Sequence, residues 1–225
     1  MIADYPCPAP GGGWVDEFAL SFERGRATRV LIVPALFDEA SRMRRLTIDT
    51  MRRLDGAGID SFLPELPGCG DSCQPIEAQT PAIWRAAMAA AATHFAATHV
   101  LAIRGGAMVM PDGLPGWRYA PVKGASLLRQ MLRARIMAAR EAGRSETSEA
   151  LLEQGKRAGL ELAGYRLGAE FITDFSELEP ADTPDLSDIE QELIGGAGLW
   201  LRAEPGEDRQ QTDALAAYLA MVLVQ

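Results

Sequence analysis

The chain has 225 residues, 48% hydrophobic and 24% charged. That composition excludes a disordered, collagen-like or peptide-sized disulfide protein and predicts one soluble domain with a sizeable core. Lys plus Arg number 22 against 31 for Asp plus Glu, and a net charge of −9 argues against a general binder of nucleic acid or anionic membrane. Three cysteines, Cys7, Cys69 and Cys73, are too few for a disulfide framework, and no thiol or imidazole cluster suggests a metal site. No cofactor fingerprint is present either; Gly11 to Gly13 lack the preceding strand and following Lys of a phosphate loop. The first residues do not read as a signal peptide, and no apolar run reaches the ~20 residues of a membrane span. A reduced, cytoplasmic protein is the expectation.

In chain order, the opening to Gly13 reads as an arm or loop. Trp14 to Phe22 then alternates as a strand, with Trp14, Phe18, Leu20 and Phe22 on one face. Val30 to Val33 is a short apolar run closed by Pro34, as in a buried parallel strand. From Ala40 to Ala57, Met43, Leu46, Met51 and Leu54 keep helical spacing among arginines, and Gly58 stands where a C-terminal cap belongs. Ile59 to Leu63 repeats the strand and Pro67 to Pro75 the loop. Thr80 and Pro81 then open a helix to about Ala97, with Trp84, Ala87, Met88, Ala91 and Phe95 inward. Val100 to Ile103 is a third buried strand, ending abruptly at Arg104, Gly105 and Gly106. This rhythm predicts a parallel α/β sheet.

After Gly106 the rhythm breaks. Met110 to Gly116 is turn-rich and leaves barely two helical turns before a strand at Trp117 to Pro121. Helices at Ala125 to Ala142, Glu146 to Ala163 and Ala169 to Leu178 follow with no strand between them, which reads as a helical cap. Glu179 to Ser187 is an acidic linker with two prolines, Ile189 to Ile194 is unassigned, Leu199 to Ala203 is a returning strand, and Asp208 to Val224 is a terminal helix with Leu215, Tyr218, Leu219 and Val222 inward.

Three segments in this order, LIVPALFDEASRMRRL, FLPELPGCGDS and LAIRGGAMV, resemble the α/β-hydrolase superfamily. From Val30 to about Phe175, including APVKGASLLRQMLRAR and AGYRL, the chain is most similar to the exosortase A system-associated hydrolases, in particular the hydrolase 2 branch. The final 50 residues do not match. The resemblance implies an α/β-hydrolase-like, mostly parallel sheet flanked by helices, trimmed, in a single domain over 1–225 with a helical cap at 124–180. It places an oxyanion loop after Val33, a Gly-x-Gly-x-Ser loop at Gly68 to Ser72, and the nucleophile elbow, usually Gly-x-Ser-x-Gly, at Ala102 to Gly106. The nucleophile position then holds Arg104, a protonated side chain that cannot attack a carbonyl. No histidine follows His99, whereas the superfamily order is nucleophile, acid, then a late histidine. Loss of the triad costs a serine hydrolase on the order of 10⁶ in kcat.

No catalytic residue is therefore assigned, and two readings of the elbow stay open. Arg104, with Gly105 and Gly106 at a helix N-terminus, could bind an anionic ligand; or Arg104 is a structural plug paired with Asp38, Glu39 or Asp71 on neighbouring loops. Cys69, Cys73 and Ser72 are substitute nucleophiles without a matching base; His94 falls on the edge of a helix and His99 at a strand entrance, the end of the sheet opposite the active-site edge, where a solvated or capping role is expected. Arg129, Arg133, Arg135, Arg140 and Arg144, with Lys123, make the first cap helix locally basic, either a solvated face or a contact for a membrane surface, an acyl carrier or an acidic partner. The expectation is a non-catalytic accessory or binding protein for an unknown small molecule or protein, with self-association left open. The alternative is a hydrolase or acyltransferase with an unconventional site.

Overall fold

The computed structural model describes residues 1–223, so Val224, expected to end the last helix, lies outside the described residues. A seven-stranded sheet forms the centre. The chain enters it with β1 (Ile2–Pro8) and β2 (Trp14–Phe22), an antiparallel hairpin, then β3 (Arg29–Val33), helix α1 (Asp38–Gly56) and β4 (Asp60–Pro64). Helix α2 (Pro81–His94) leads to β5 (His99–Ile103), and a 3-10 turn at Arg104–Met108 leads to β6 (Gly116–Tyr119). Helices α3 (Gly124–Glu141) and α4 (Ser148–Ala158), the small hairpin β7 (Leu160–Leu162) and β8 (Tyr165–Leu167), and α5 (Ala169–Glu177) come next. Then β9 (Leu186–Ile189), a four-residue helix α6 (Gln191–Ile194), a 3-10 turn at Leu199–Leu201 and α7 (Arg209–Leu223) complete the description. The strand order is β1-β2-β4-β3-β5-β6-β9, parallel from β4 to β9.

Burial follows the pleat. In β3 and β5, Leu31, Val33, Val100 and Ala102 face the layer of α2 and α3 to α5, whereas Val30, Ile32, Leu101 and Ile103 face α1 and α7. Both faces are covered, which is why these strands read as unbroken apolar runs. The expected cap on α2 is present: the Thr80 hydroxyl accepts from the Ile83 N–H at 3.2 Å, and Pro81 opens the first turn.

Several expectations need correction. The N-terminal segment is a strand, not an arm. Its Met1 and Ser21 backbone groups bond each other, and Ala9 N–H reaches Gly13 O at 3.1 Å. In β2 the covered face is Glu17, Ala19 and Ser21, while Trp14 is 68% exposed. The helix expected over Glu146 to Ala163 stops at Ala158 and gives way to the β7–β8 hairpin. The strand expected over Leu199 to Ala203 is absent, its start being a 3-10 turn at Leu199–Leu201; the strand completing the sheet is β9, inside the segment read as linker and unassigned chain. In α7, Leu215 and Leu219 are buried as expected and Val222 is exposed.

The outer edge of β1 has a particular chemistry. Mutual bonding at Met1·Ser21 turns the backbone groups of alternate residues, Ile2, Asp4, Pro6 and Pro8, away from β2. Two of those four outward positions are proline and have no N–H to donate.

Candidate functional site at the elbow

Strand β5 delivers the chain to a sharp turn whose first residue, Arg104, has φ 53. A left-handed backbone is costly for a non-glycine residue and is maintained here by its surroundings. An added Cβ on Gly106 would stand 2.4 Å from the Pro34 carbonyl oxygen and 2.8 Å from that of Val33, and one on Gly105 would stand 2.8 Å from Leu127 Cδ1 and 3.0 Å from Leu36 Cδ1. Gly106 is demanded by close approach to backbone, whereas the contacts at Gly105 are with leucine side chains that can shift.

Each nitrogen of the Arg104 guanidinium makes a hydrogen bond. Nε donates to Glu39 Oε2 at 3.0 Å, Nη2 to Glu39 Oε1 at 3.1 Å and Nη1 to the Ala120 carbonyl at 2.7 Å. Its face lies 4.0 Å from the centre of the Trp200 ring. The two side chains are 11% and 3% exposed, so this is a bidentate ion pair largely removed from water. Glu39 comes from the first turn of α1, where the helix dipole favours a negative charge. The α1 start is itself set by Phe37 at φ 55, and Ala120 has φ 45. Three of the strained non-glycine residues thus converge on one ion pair.

Of the three expected partners, the structure brings Glu39 to Arg104 and not the others. Asp38 is turned outward, 3.9 Å from Arg42. Asp71 is exposed on the loop after β4. The expected helix N-terminus at Gly105 and Gly106 is a five-residue 3-10 turn, with Leu36 and Leu127 packed over Gly105. That arrangement does not present an anion-binding helix end.

Trp200 was not legible in the sequence. It stands in the 3-10 turn before α7, in the late part of the chain where the superfamily order would bring the histidine. Tyr119 meets the Trp200 ring edge-on at 6.2 Å and donates to Gln191 Oε1 at 2.5 Å; Gln191 Nε2 donates on to Gln211 Oε1 at 3.2 Å. Burial pushes the Tyr119 phenol up to about 12, against the pull of the Arg104 charge and of the Gln191 hydrogen bond. The phenol is therefore a hydrogen-bond donor, not a base.

The substitute nucleophiles are equally constrained. Burial, helped by Glu65 and Glu17, pushes the Cys69 thiol up to about 12, which removes the thiolate a nucleophile needs. The Ser72 hydroxyl donates to Glu17 Oε1 at 2.6 Å and accepts from the Gly68 and Gln74 N–H groups, so it ties the Gly68–Ser72 loop to β2. Glu17 is buried and receives a second bond from Gln74 Nε2 at 2.9 Å. Ser72→Ala should cost about 1–3 kcal/mol, because it leaves that carboxylate with one side-chain donor; a urea titration with an unchanged midpoint would contradict this role. His94 is exposed beside Phe95, and His99 at the start of β5 stacks on Trp117, at the far end from Arg104.

A cavity of about 380 Å³ lies between α1 and the loop after β4, lined among others by Leu36, Phe37, Arg44, Glu65, Cys69, Asp71 and Tyr165. Arg104 does not line it. Among the described residues no group of His, Cys, Asp or Glu could hold a metal ion, and no helix is long and apolar enough to cross a membrane.

The fold is similar to that of solved structures. A presumed hydrolase from Agrobacterium vitis S4 aligns over 99% of both chains with TM-score 0.51 and 14% identity. The fold is α/β-hydrolase-like. Est1E from Butyrivibrio proteoclasticus, solved with ferulic acid, aligns over 71% of this chain and 67% of its own at TM-score 0.47 and 12% identity. DcsB, solved with a substrate analogue, aligns over 64% of this chain at TM-score 0.42 and 12% identity, and the present chain spans 54% of its length. No family model matches the sequence. No curated protein matches it either.

Proposed function

We propose that this protein is a non-catalytic member of the α/β-hydrolase fold, a binding or accessory protein whose elbow has become a structural joint. One observation carries the reading: the side chain at the nucleophile position is a guanidinium bound at both forks by Glu39, capped by the Ala120 carbonyl and covered by Trp200. A reactive elbow needs an exposed nucleophile, an adjacent base and donors aimed at a vacant oxyanion position. Here Arg104 supplies no nucleophile, no histidine follows in the chain, and Leu36 and Leu127 pack where the turn would open. The segment 124–180 acts as a helical cap within a single domain. The exosortase-associated resemblance of residues 30 to 175 gives the setting, an envelope or exopolysaccharide system with this protein on its cytoplasmic side.

The cavity beside Cys69 supports a second reading, a hydrolase or acyltransferase acting on an ester or thioester away from the elbow. The partly buried thiol, whose pKa is pushed up, weighs against it.

One experiment separates the two. The purified protein should leave short-chain aryl esters and thioesters at the buffer rate and should take no label from a fluorophosphonate probe. Turnover abolished by Cys69→Ala or Ser72→Ala would establish the enzyme instead.

A further inference from the structure

Helix α3 spends one face on the core through Leu127, Leu128, Met131 and Leu132. The face turned outward carries Arg129, Arg133, Met137 and Arg140, spaced by four, four and three residues, which places them in one row along the helix. The row is about 16 Å long at 1.5 Å per residue. None of the three arginines has a carboxylate within salt-bridge distance among the described residues, in a chain where Arg24, Arg26, Arg29, Arg44, Arg45, Arg52 and Arg53 all do. Of the other basic residues of this region, Arg135 pairs with Glu146 at 3.1 Å and Lys123 with Glu179 at 2.8 Å, while Arg144 lies exposed beyond the helix end. A shallow groove runs along the row, lined by Ser126, Arg129, Gln130, Arg133, Ala134 and Met137. No acidic residue lines it, and Met137, 65% exposed, adds an apolar side chain at one end.

We infer that this row is a docking surface for an acidic helical segment of a partner protein, whose carboxylates, spaced by three or four residues, meet the arginine forks while an apolar side chain rests on Met137. Guanidinium forks match carboxylates bidentately, and an uncompensated basic strip on a protein of net charge −9 steers an acidic partner to one place. The alternatives fit less well. An interfacial helix enters a bilayer with its apolar face, and that face of α3 is already buried in the core, leaving Met137 alone outside. A polynucleotide would meet the repulsion of the whole acidic molecule for the sake of three arginines. The inference does not depend on whether the elbow reacts, so an esterase result leaves it standing.

The test uses the full chain and a fluorescein-labelled 18-residue helical peptide with Glu at every third or fourth position and Leu beside them. Anisotropy should report binding that weakens steadily as salt rises from low to physiological strength. Arg129→Gln/Arg133→Gln/Arg140→Gln should lose at least tenfold in affinity. A charge-matched control, Lys156→Gln/Arg157→Gln/Arg166→Gln, should stay within twofold of the parent. Both triples should keep the parent thermal midpoint within a few degrees, since exposed charges contribute little to stability. Equal losses in the two triples would reduce the row to a share of overall charge and overturn the inference. So would absence of peptide binding at low salt, or stronger row-dependent binding to vesicles of one-third phosphatidylserine or to a single-stranded oligonucleotide.

Discussion

Arg104→Met is expected to lower the thermal midpoint by on the order of 10 °C. The substitution leaves the Glu39 carboxylate buried, 3% exposed, with both of its guanidinium donors gone. Breaking a buried pair from one side costs about 3–5 kcal/mol, and for a chain of this size each kcal/mol moves the midpoint by about 2–4 °C. Glu39→Gln should also destabilise, since it leaves the Arg104 charge without a counter-charge, but by less, because the amide oxygen can still accept one guanidinium N–H and the Ala120 carbonyl keeps another. The double variant Glu39→Gln/Arg104→Met should cost clearly less than the sum of the two, whereas Asp38→Asn and Asp71→Asn should each add to Arg104→Met without interaction. Additivity with Glu39, or an unchanged midpoint for Arg104→Met, would show that the pair does not hold the turn. Should Arg104→Met not fold, Glu39→Gln alone against Asp38→Asn gives the same comparison at lower cost to the fold.

Gly106→Ala is expected to damage the protein although it adds one carbon. The new Cβ would lie 2.4 Å from the Pro34 oxygen and 2.8 Å from the Val33 oxygen, and both obstacles are backbone. No rotamer change relieves such a contact, so the turn and the end of β3 must separate. Overpacking of this kind costs about 1–3 kcal/mol and at times more. Gly56→Ala is the internal comparison: it lies at the end of α1, its Cβ would meet nothing within 4 Å, and it should be neutral or gain up to about 1 kcal/mol. Urea midpoints for the two variants should therefore move apart. Equal midpoints would mean that the turn tolerates a side chain and that its tight packing is not what keeps Gly106.

The parallel half of the sheet was legible because its burial is written into local sequence. Val30 to Val33 and Val100 to Ile103 are apolar at every position, and a strand covered on both faces has no other way to read. The flanking strands were harder. In β1 the prolines and the following glycines mimic a loop, and in β9 the residues LSDI carry two polar side chains; each becomes a strand only by pairing with a neighbour already in place. The orientation of β2 misled for a related reason. Its covered face carries Glu17 and Ser21, polar groups whose hydrogen bonds are made by chain remote in sequence, including Ser72. At the site, the residue types narrowed the partner of Arg104 to three carboxylates on neighbouring loops, but not to Glu39. Choosing among them needs the side-chain directions at the start of α1, where Phe37 in a left-handed backbone fixes the entry. Trp200 had no local signal, since it is brought to Arg104 by the route of the chain from β9 to α7.

The hairpin that opens the sheet places β1 at one margin, with β9 at the other. A free strand edge ordinarily recruits a second chain by hydrogen bonding, and such growth ends in precipitates or fibrils. At β1 that route is obstructed where Pro6 and Pro8 point their rings outward, since an incoming strand finds donors only at Ile2 and Asp4, too few in line to hold a register. Protection against fibrillar growth at this margin thus resides in two residues that a scan for apolar core would pass over, and replacing both Pro6 and Pro8 would restore an outward row of donors.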